Sequence, residues 1–245
     1  KIFVRPILFR IDAERAHTLA LKFASRVWSW ALGRWFTKVI YARRLPVLRT
    51  RVCGIDFENP IGLAAGFDKD AALLSGIDRL GFGFIEVGTV TPRPQQGNAK
   101  PRLQRMPEKK ALLNRMGFNN GGVDEMIANI KRARPYLQVP LGINLGKNKD
   151  TANSYAVDDY ALLLKKLKDH ADYFTINISS PNTPGLLELQ NAAFINELGE
   201  QVMHMRIAQP VFIKLSPDIE YDHFNDICNT CGVERKAGTP FSGLI

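Results

Sequence analysis

From Cys53 to its end the chain alternates short β-branched or aromatic runs with helix-forming stretches, and this alternation constrains the fold more than any other feature. Phe82 to Val90, Val139 to Gly146, Tyr173 to Ser179 and Val211 to Pro217 each read as a buried strand. Asn59 to Phe67 reads as another, ending in a glycine loop. Between them Ala71 to Leu80, Gly121 to Ala133, Ser154 to Leu167 and Phe194 to Met205 are expected to be helices. Strand and helix in turn over this length predict a parallel sheet, either a barrel or an open doubly wound sheet. Thr91 to Asn120 is too long and too rich in Pro and Gly for an ordinary connection, so it is expected to be a functional loop.

The strand ends choose between the two architectures. Lys69, Thr89, Asn144, Asn177 with Ser180, and Lys214 stand at five successive ends. An open sheet gathers ligands at a switch point between a few strands, whereas polar residues at five ends in succession suit a barrel mouth. No Gly-x-Gly-x-x-Gly follows the first strand, which argues against a dinucleotide fold. The expected fold is therefore α/β, a TIM-type β/α barrel. Its central stretch is Tyr173 to Thr183, where a strand runs out into Ser-Ser-Pro-Asn-Thr and Pro181 cannot continue a ladder.

The residues at those ends limit the chemistry. Lys69 and Lys214 can complement an anionic ligand or a developing negative charge. Asn114, Asn144, Asn177 and Asn182 offer donors and acceptors together, which suits a planar heterocycle with amide edges better than a metal or a phosphate. There is no carboxylate pair for glycoside chemistry, and the four histidines lie in or beside helices. Ser180 is left as the proton-transfer candidate, although an unassisted hydroxyl is a poor base and a turn hydroxyl bonded to backbone is the ordinary alternative. The three cysteines form no disulfide framework, and Cys228-x-x-Cys231 lacks a second pair at zinc spacing, so no metal site is expected and a reducing compartment is.

Charge is unevenly placed. Of 33 Lys and Arg and 24 acidic residues, 12 and 2 fall within residues 1–52, leaving 21 and 22 for the rest. Ala13 to Ala24 has helix-forming composition with Asp12 as N-cap, and Val27 to Phe36 holds all three tryptophans. Arg26 and Arg34 interrupt any run long enough to span a bilayer, so the expected partner is a membrane surface met by helices lying in the headgroup region. The alternative is an amphipathic helix packed on its own domain. Nucleic acid is not expected, because no recognisable binding module is present.

These residues together resemble the membrane-associated, quinone-dependent class of dihydroorotate dehydrogenases. The resemblance rests on Gly62 to Lys69, Glu86 to Pro92, Asn114 to Asn120, Gly142 to Asn148, Asn177 to Thr183 and Phe212 to Lys214, in order over about residues 13–218. It implies a β/α barrel over residues 46–245 with FMN at its mouth, preceded by a helical quinone-tunnel domain over residues 1–45. It implies oxidation of dihydroorotate to orotate in pyrimidine biosynthesis, with electrons passed to a respiratory quinone. Carried over, Ala65, Gly66, Thr89, Asn144, Asn177 and Lys214 meet the flavin. Lys69, Asn114, Arg115, Met116, Gly117, Phe118, Asn177 and Asn182 form the substrate set, Ser180 is the base, and His17 and Arg105 belong to the tunnel. A monomer at the cytoplasmic face of a bacterial inner membrane is expected, with the mitochondrial inner membrane as the alternative.

After Asp218 the match fades. Val233 to Phe241 has no counterpart, Ser242 to Ile245 reads as the start of a sixth strand, and a complete barrel usually takes about 250 residues. The expectation is an incomplete barrel in a truncated or aberrantly ended chain, with poor flavin affinity and stability. An inactive membrane-associated fragment is the competing reading.

Overall fold

A computed structural model describes residues 4–42, 45–231 and 239–245. The chain opens with three helices, α1 (Val4–Phe9), α2 (Ala13–Trp28) and α3 (Ala31–Tyr41), followed by a hairpin of β1 (Thr50–Val52) and β2 (Ile55–Phe57). The alternating body then runs β3 (Gly62–Leu63), β4 (Phe84–Val90), β5 (Leu103–Met106), β6 (Ala111–Asn114), α4 (Val123–Ala133) and β7 (Leu141–Leu145). It continues with α5 (Ala156–Leu167), β8 (Tyr173–Asn177), α6 (Ala192–Met205), β9 (Val211–Lys214), α7 (Tyr221–Cys231) and β10 (Gly243–Leu244).

Six strands form one parallel sheet in the order β3-β4-β7-β8-β9-β10. Each strand lies beside its predecessor and the order never reverses. A doubly wound sheet must reverse at its switch point, so the winding is that of a barrel, here with six strands of a closed barrel's eight. The expected sixth strand is β10, which pairs with β9 through Gly243 and Leu244. Of the tail that the sequence could not place, residues 233–238 lie outside the described residues.

Two-residue periodicity splits every long strand between faces. Ile85, Val87, Ile143, Leu145, Phe174, Ile176, Val211 and Ile213 pack outward against Met126, Ile130, Leu163, Leu164, Ile195 and Leu198 of the helices. The alternate residues, Phe84, Glu86, Asn144, Tyr173, Thr175, Asn177, Phe212 and Lys214, turn to the concave side. Low on that side Phe57, Phe84, Tyr173 and Phe212 meet edge to face, with centroids 5.3, 6.4 and 5.8 Å apart in turn. Gly142 makes room for this tier, because a Cβ there would collide with the Tyr173 ring. These rings, with Glu86, Lys214 and the β1–β2 hairpin, line a cavity of about 450 Å³.

Three expectations need correction. Ala71 to Leu80 is not an α-helix: Ala71 has a left-handed φ of +59°, and only Ile77–Leu80 form a 3₁₀ turn. The Asp68 carboxylate takes the Ala72 and Leu73 N–H groups at 2.8 Å each, holding a capped turn where a helix would need Ala71 in αR. The first strand shrinks to Gly62–Leu63, since Asn59, Pro60 and the Ala65–Gly66 turn leave little backbone free for a ladder. The Thr91–Asn120 excursion contains its own hairpin, β5 with β6, hidden in the sequence by the flanking prolines.

The N-terminal helices divide their aromatic residues. Asp12 caps α2, its carboxylate accepting the Arg15 N–H at 2.9 Å. Trp28 is an internal anchor: it joins the main core, and its Nε1–H donates to Thr37 Oγ1 at 3.0 Å. Arg34 lies 4.5 Å over the Tyr136 ring and donates to the Trp28 carbonyl at 2.7 Å. Leu19, Phe23, Trp30, Leu32, Trp35, Phe36, Val39 and Ile40 are all exposed, Phe23 by 73% and Trp30 by 71%. The helices therefore pack on their own domain along one side and present an apolar ridge on another. No helix among the described residues is long and apolar enough to cross a membrane.

Candidate active site

The strand ends on the concave side carry a buried hydrogen-bond network. Asn144, wholly buried between β4 and β8, donates from Nδ2 to Glu86 Oε1 at 2.8 Å. Its Oδ1 accepts from Thr89 Oγ1 at 2.6 Å and from Asn177 Nδ2 at 2.9 Å. Asn177 Nδ2 also donates to Thr89 at 3.1 Å, and its Oδ1 accepts the Ser179 N–H and hydroxyl at 3.1 and 2.9 Å. Below them Thr175 and Tyr173 hydroxyls donate to Glu86 Oε2 at 3.0 and 3.2 Å. Burial and the facing carboxylate push the Tyr173 phenol up, so it stays a donor. On the outer side, Tyr160 donates to the Asn177 carbonyl at 3.0 Å and pins the end of β8 from α5.

Three loops close around this floor. The Ser180 hydroxyl is half-buried and accepts the Asn182 N–H at 3.3 Å, the ordinary turn bond, leaving its own hydrogen free to aim elsewhere. Asn182 Nδ2 donates to the Asn114 carbonyl at 3.1 Å, and Asn114 Oδ1 accepts the Met116 N–H at 2.9 Å. Asn98, which the sequence reading passed over, stitches these segments: its Nδ2 donates to the Asn182 carbonyl at 2.9 Å and the Arg115 carbonyl at 3.1 Å. Phe118 is buried beside Thr89 around Gly146, whereas the Arg115 side chain is exposed.

The third loop, residues 65–70, is pinned to β4 by Gly66 N–H to the Gly88 carbonyl at 2.8 Å. Gly66 has a φ of +103°, and no atom lies within 4 Å of where a Cβ would stand. The bare backbone of Ala65–Gly66 therefore faces open space. Behind it burial pushes the Asp68 carboxyl up to about 6. Burial, with Arg102 adding to it, pushes the Lys69 ammonium down to about 8, while Asp70 and Glu14 oppose the shift. Lys214 is half-buried in the cavity, and its ammonium makes no hydrogen bond or ion pair among the described residues.

The N-terminal helices dock on this same rim. His17 Nε2 lies 3.0 Å from the Phe67 carbonyl, with the two rings edge to face at 5.1 Å. Glu14 of α2 pairs with Arg102 at 2.6 Å and with Lys100 at 3.4 Å. The guanidinium first, and then Lys100, hold the Glu14 carboxyl below the usual range. Arg105 donates to the Ile11 carbonyl at 2.7 Å and lies 4.9 Å over the Phe9 ring. Arg102 and Glu14 are 88 residues apart in sequence, and nothing local marks them as partners.

The structure thus brings Thr89, Asn144 and Asn177 into one network, Asn114 and Asn182 into a second, and His17 onto the loop that carries Gly66 and Lys69. It ties Ser180 to the second network only through the turn bond from the Asn182 N–H, and it leaves the Lys214 ammonium outside both. The family model described as dihydroorotate dehydrogenase matches residues 47–236. The chain belongs to the dihydroorotate dehydrogenase family. Within it the chain is similar to members named dihydroorotate dehydrogenase (quinone). The one from Alkalilimnicola ehrlichii is 46% identical over 247 residues, covering 96% of this chain and 71% of that protein. The one from Stenotrophomonas maltophilia strain K279a is 47% identical over 224 residues, covering 88% of this chain and 62% of that protein. The crystal structure of DHODH from Eimeria tenella in complex with ferulenol superposes with a TM-score of 0.79 at 33% identity, over 94% of this chain and 65% of that one. Its ligand-free form gives 0.82 at 33%, over 96% and 68%. The chain thus spans roughly two thirds of the length of the family members it matches.

Proposed function

We propose that this chain carries the dihydroorotate-oxidising site of a quinone-dependent, FMN-containing dihydroorotate dehydrogenase of de novo pyrimidine synthesis. The observation that supports it best is the meeting, on one rim, of the Thr89–Asn144–Asn177 network, the Asn114–Asn182 pair and a helical layer docked through His17. FMN would accept a hydride from the substrate and hand on electrons singly or in pairs. The residues present suit the ring end of such a cofactor: an open glycine backbone at Gly66 and an unpartnered ammonium at Lys214 fit a flat, electron-accepting heterocycle. Barrels hold phosphate groups on the loops after strands seven and eight, which are not among the described strands.

In this reading Ser180 takes the C5 proton of dihydroorotate as hydride leaves C6. Lys69, Asn114, Asn177 and Asn182 hold the ring and its carboxylate, with Phe118, Met116 and the Arg115–Gly117 backbone shaping the pocket. Serine is a weak base. Its proton would have to leave through water, which the polar lining of Asn182 and Asn114 could hold by hydrogen bonds. Residues 1–45 form the membrane-associated domain. Their exposed apolar residues would rest on the bilayer, with His17 and Arg105 beside the acceptor's route, and the protein would work as a monomer at the cytoplasmic face of the inner membrane.

The test is the visible spectrum of the chain with FMN, before and after anaerobic addition of dihydroorotate. Bleaching is expected. A chain that binds FMN but stays yellow would refute the substrate assignment, and one that takes up no FMN would refute a self-sufficient site.

A further inference from the structure

Glu86 is the acidic residue that the network converges on, and the proposed reaction gives it no part. Its side chain lies one tier below the rim, 9% exposed, with three side-chain donors on the carboxylate. No cation lies within ion-pair distance of it among the described residues. Hydrogen bonds therefore hold its charge, and each is of the stronger, charge-assisted kind.

We propose that Glu86 is a positioning residue, whose carboxylate sets the direction of the hydrogen bonds that run from the barrel interior to the Ser180 loop. A carboxylate only accepts, so Asn144 must turn its NH₂ toward Glu86 and its Oδ1 toward the rim. That oxygen in turn requires donors, which Thr89 Oγ1 and Asn177 Nδ2 supply. Asn177, with its NH₂ directed inward, has its Oδ1 left for the Ser179 N–H and hydroxyl. Reversing either carboxamide sets donor against donor or acceptor against acceptor within a buried site, where an unmade bond is costly. The direction is thus decided at Glu86 and delivered at Ser179, one residue before the proposed base. Its catalytic value rests on the proposed dihydroorotate site, but the direction itself does not.

Glu86→Gln keeps the volume and removes the acceptor-only character, since an amide can face Asn144 with either end. In the ¹⁵N-labelled chain without ligand, the Ser179 amide of this variant should exchange its hydrogen at least about tenfold faster. The side-chain amides of Asn144 and Asn177 should each give two sets of signals. Tyr173→Phe removes a donor from the same carboxylate without touching Asn144, and Ser179 exchange should stay within about twofold of the parent. A purely structural role would instead loosen β4, β7 and β8 together, and that uniform result would overturn the proposal. So would unchanged Ser179 exchange with single amide signals in Glu86→Gln. Should Glu86→Gln not fold, Glu86→Asp withdraws the carboxylate from Asn144 at constant charge and is read in the same way. Failure of both to fold would show that Glu86 holds the fold rather than the site, and would also overturn it. A selective change at Ser179 in a chain that dihydroorotate does not bleach would support the role of Glu86 while refuting the proposed function.

Discussion

Raising the pH from 7 to 9 should weaken orotate binding by about tenfold, through Lys69. Burial and the nearby Arg102 guanidinium bring its ammonium down to about 8, where an ordinary lysine would stay charged to well above 10. If only the charged form holds the anion, the apparent Kd grows as one plus the ratio of neutral to charged Lys69. That is about twofold at pH 8 and about elevenfold at pH 9 relative to low pH. A lysine at its usual value would change the Kd by only a few per cent over the same range. Calorimetric titration with orotate from pH 6 to 9 reads the curve directly, and buffers of different ionisation enthalpy should reveal uptake of about one proton per ligand above pH 8. Glu14→Gln deletes a carboxylate that opposes the shift, so its curve should fall at lower pH. A Kd that stays flat to pH 9 in the parent chain would refute the reasoning, because Lys69 would then be fully charged or would not meet the ligand. The same shift also marks folding. Between about 8 and the unfolded value of 10.5 the unfolded chain holds more protons, so the contribution of Lys69 to stability rises with pH across that window and is lost as pH falls through about 8.

Other outcomes follow from single contacts. Ser180→Ala should slow flavin reduction by dihydroorotate at least about 100-fold while orotate binding changes little, as stopped-flow absorbance and titration would show. Tyr160→Phe strands the Asn177 carbonyl beneath the network and should cost about 1–3 kcal/mol in urea unfolding. Arg102→Ala leaves Glu14 nearly buried and unpaired by its main partner. It should free α2 by about 3 kcal/mol, seen as faster tryptic cleavage after Lys22 or Arg26, and an unchanged cleavage rate would count against the latch.

The body of the fold was legible because its strands carry a two-residue pattern strong enough to survive without context. Ile143–Asn144–Leu145 and Phe174–Thr175–Ile176–Asn177 announce one apolar and one polar face each. The polar strand ends follow from the same pattern, so Thr89, Asn144 and Asn177 stand out as a group from the sequence alone. Ala71 to Leu80 misled because its composition favours a helix, while the bond that decides against one comes from the side chain of Asp68 just upstream. Arg102 with Glu14, and Asn98 with Asn182, were invisible because they join segments 88 and 84 residues apart through single side chains. Glu86 does leave a signal: an acid flanked by Ile85 and Val87 in a buried strand, Phe84 to Val90, is a polar group that needs partners.

The ridge of Phe23, Trp30, Trp35 and Phe36 stands on the same helical layer that His17 and Glu14 fasten to the reaction mouth. If that ridge lies on lipid, an acceptor dissolved in the bilayer reaches the protein by diffusing in a plane rather than through a volume. The second half-reaction then answers to how many acceptor molecules occupy each unit of membrane area. Adding lipid around a fixed amount of quinone would slow it, even with the bulk concentrations of quinone and protein held constant.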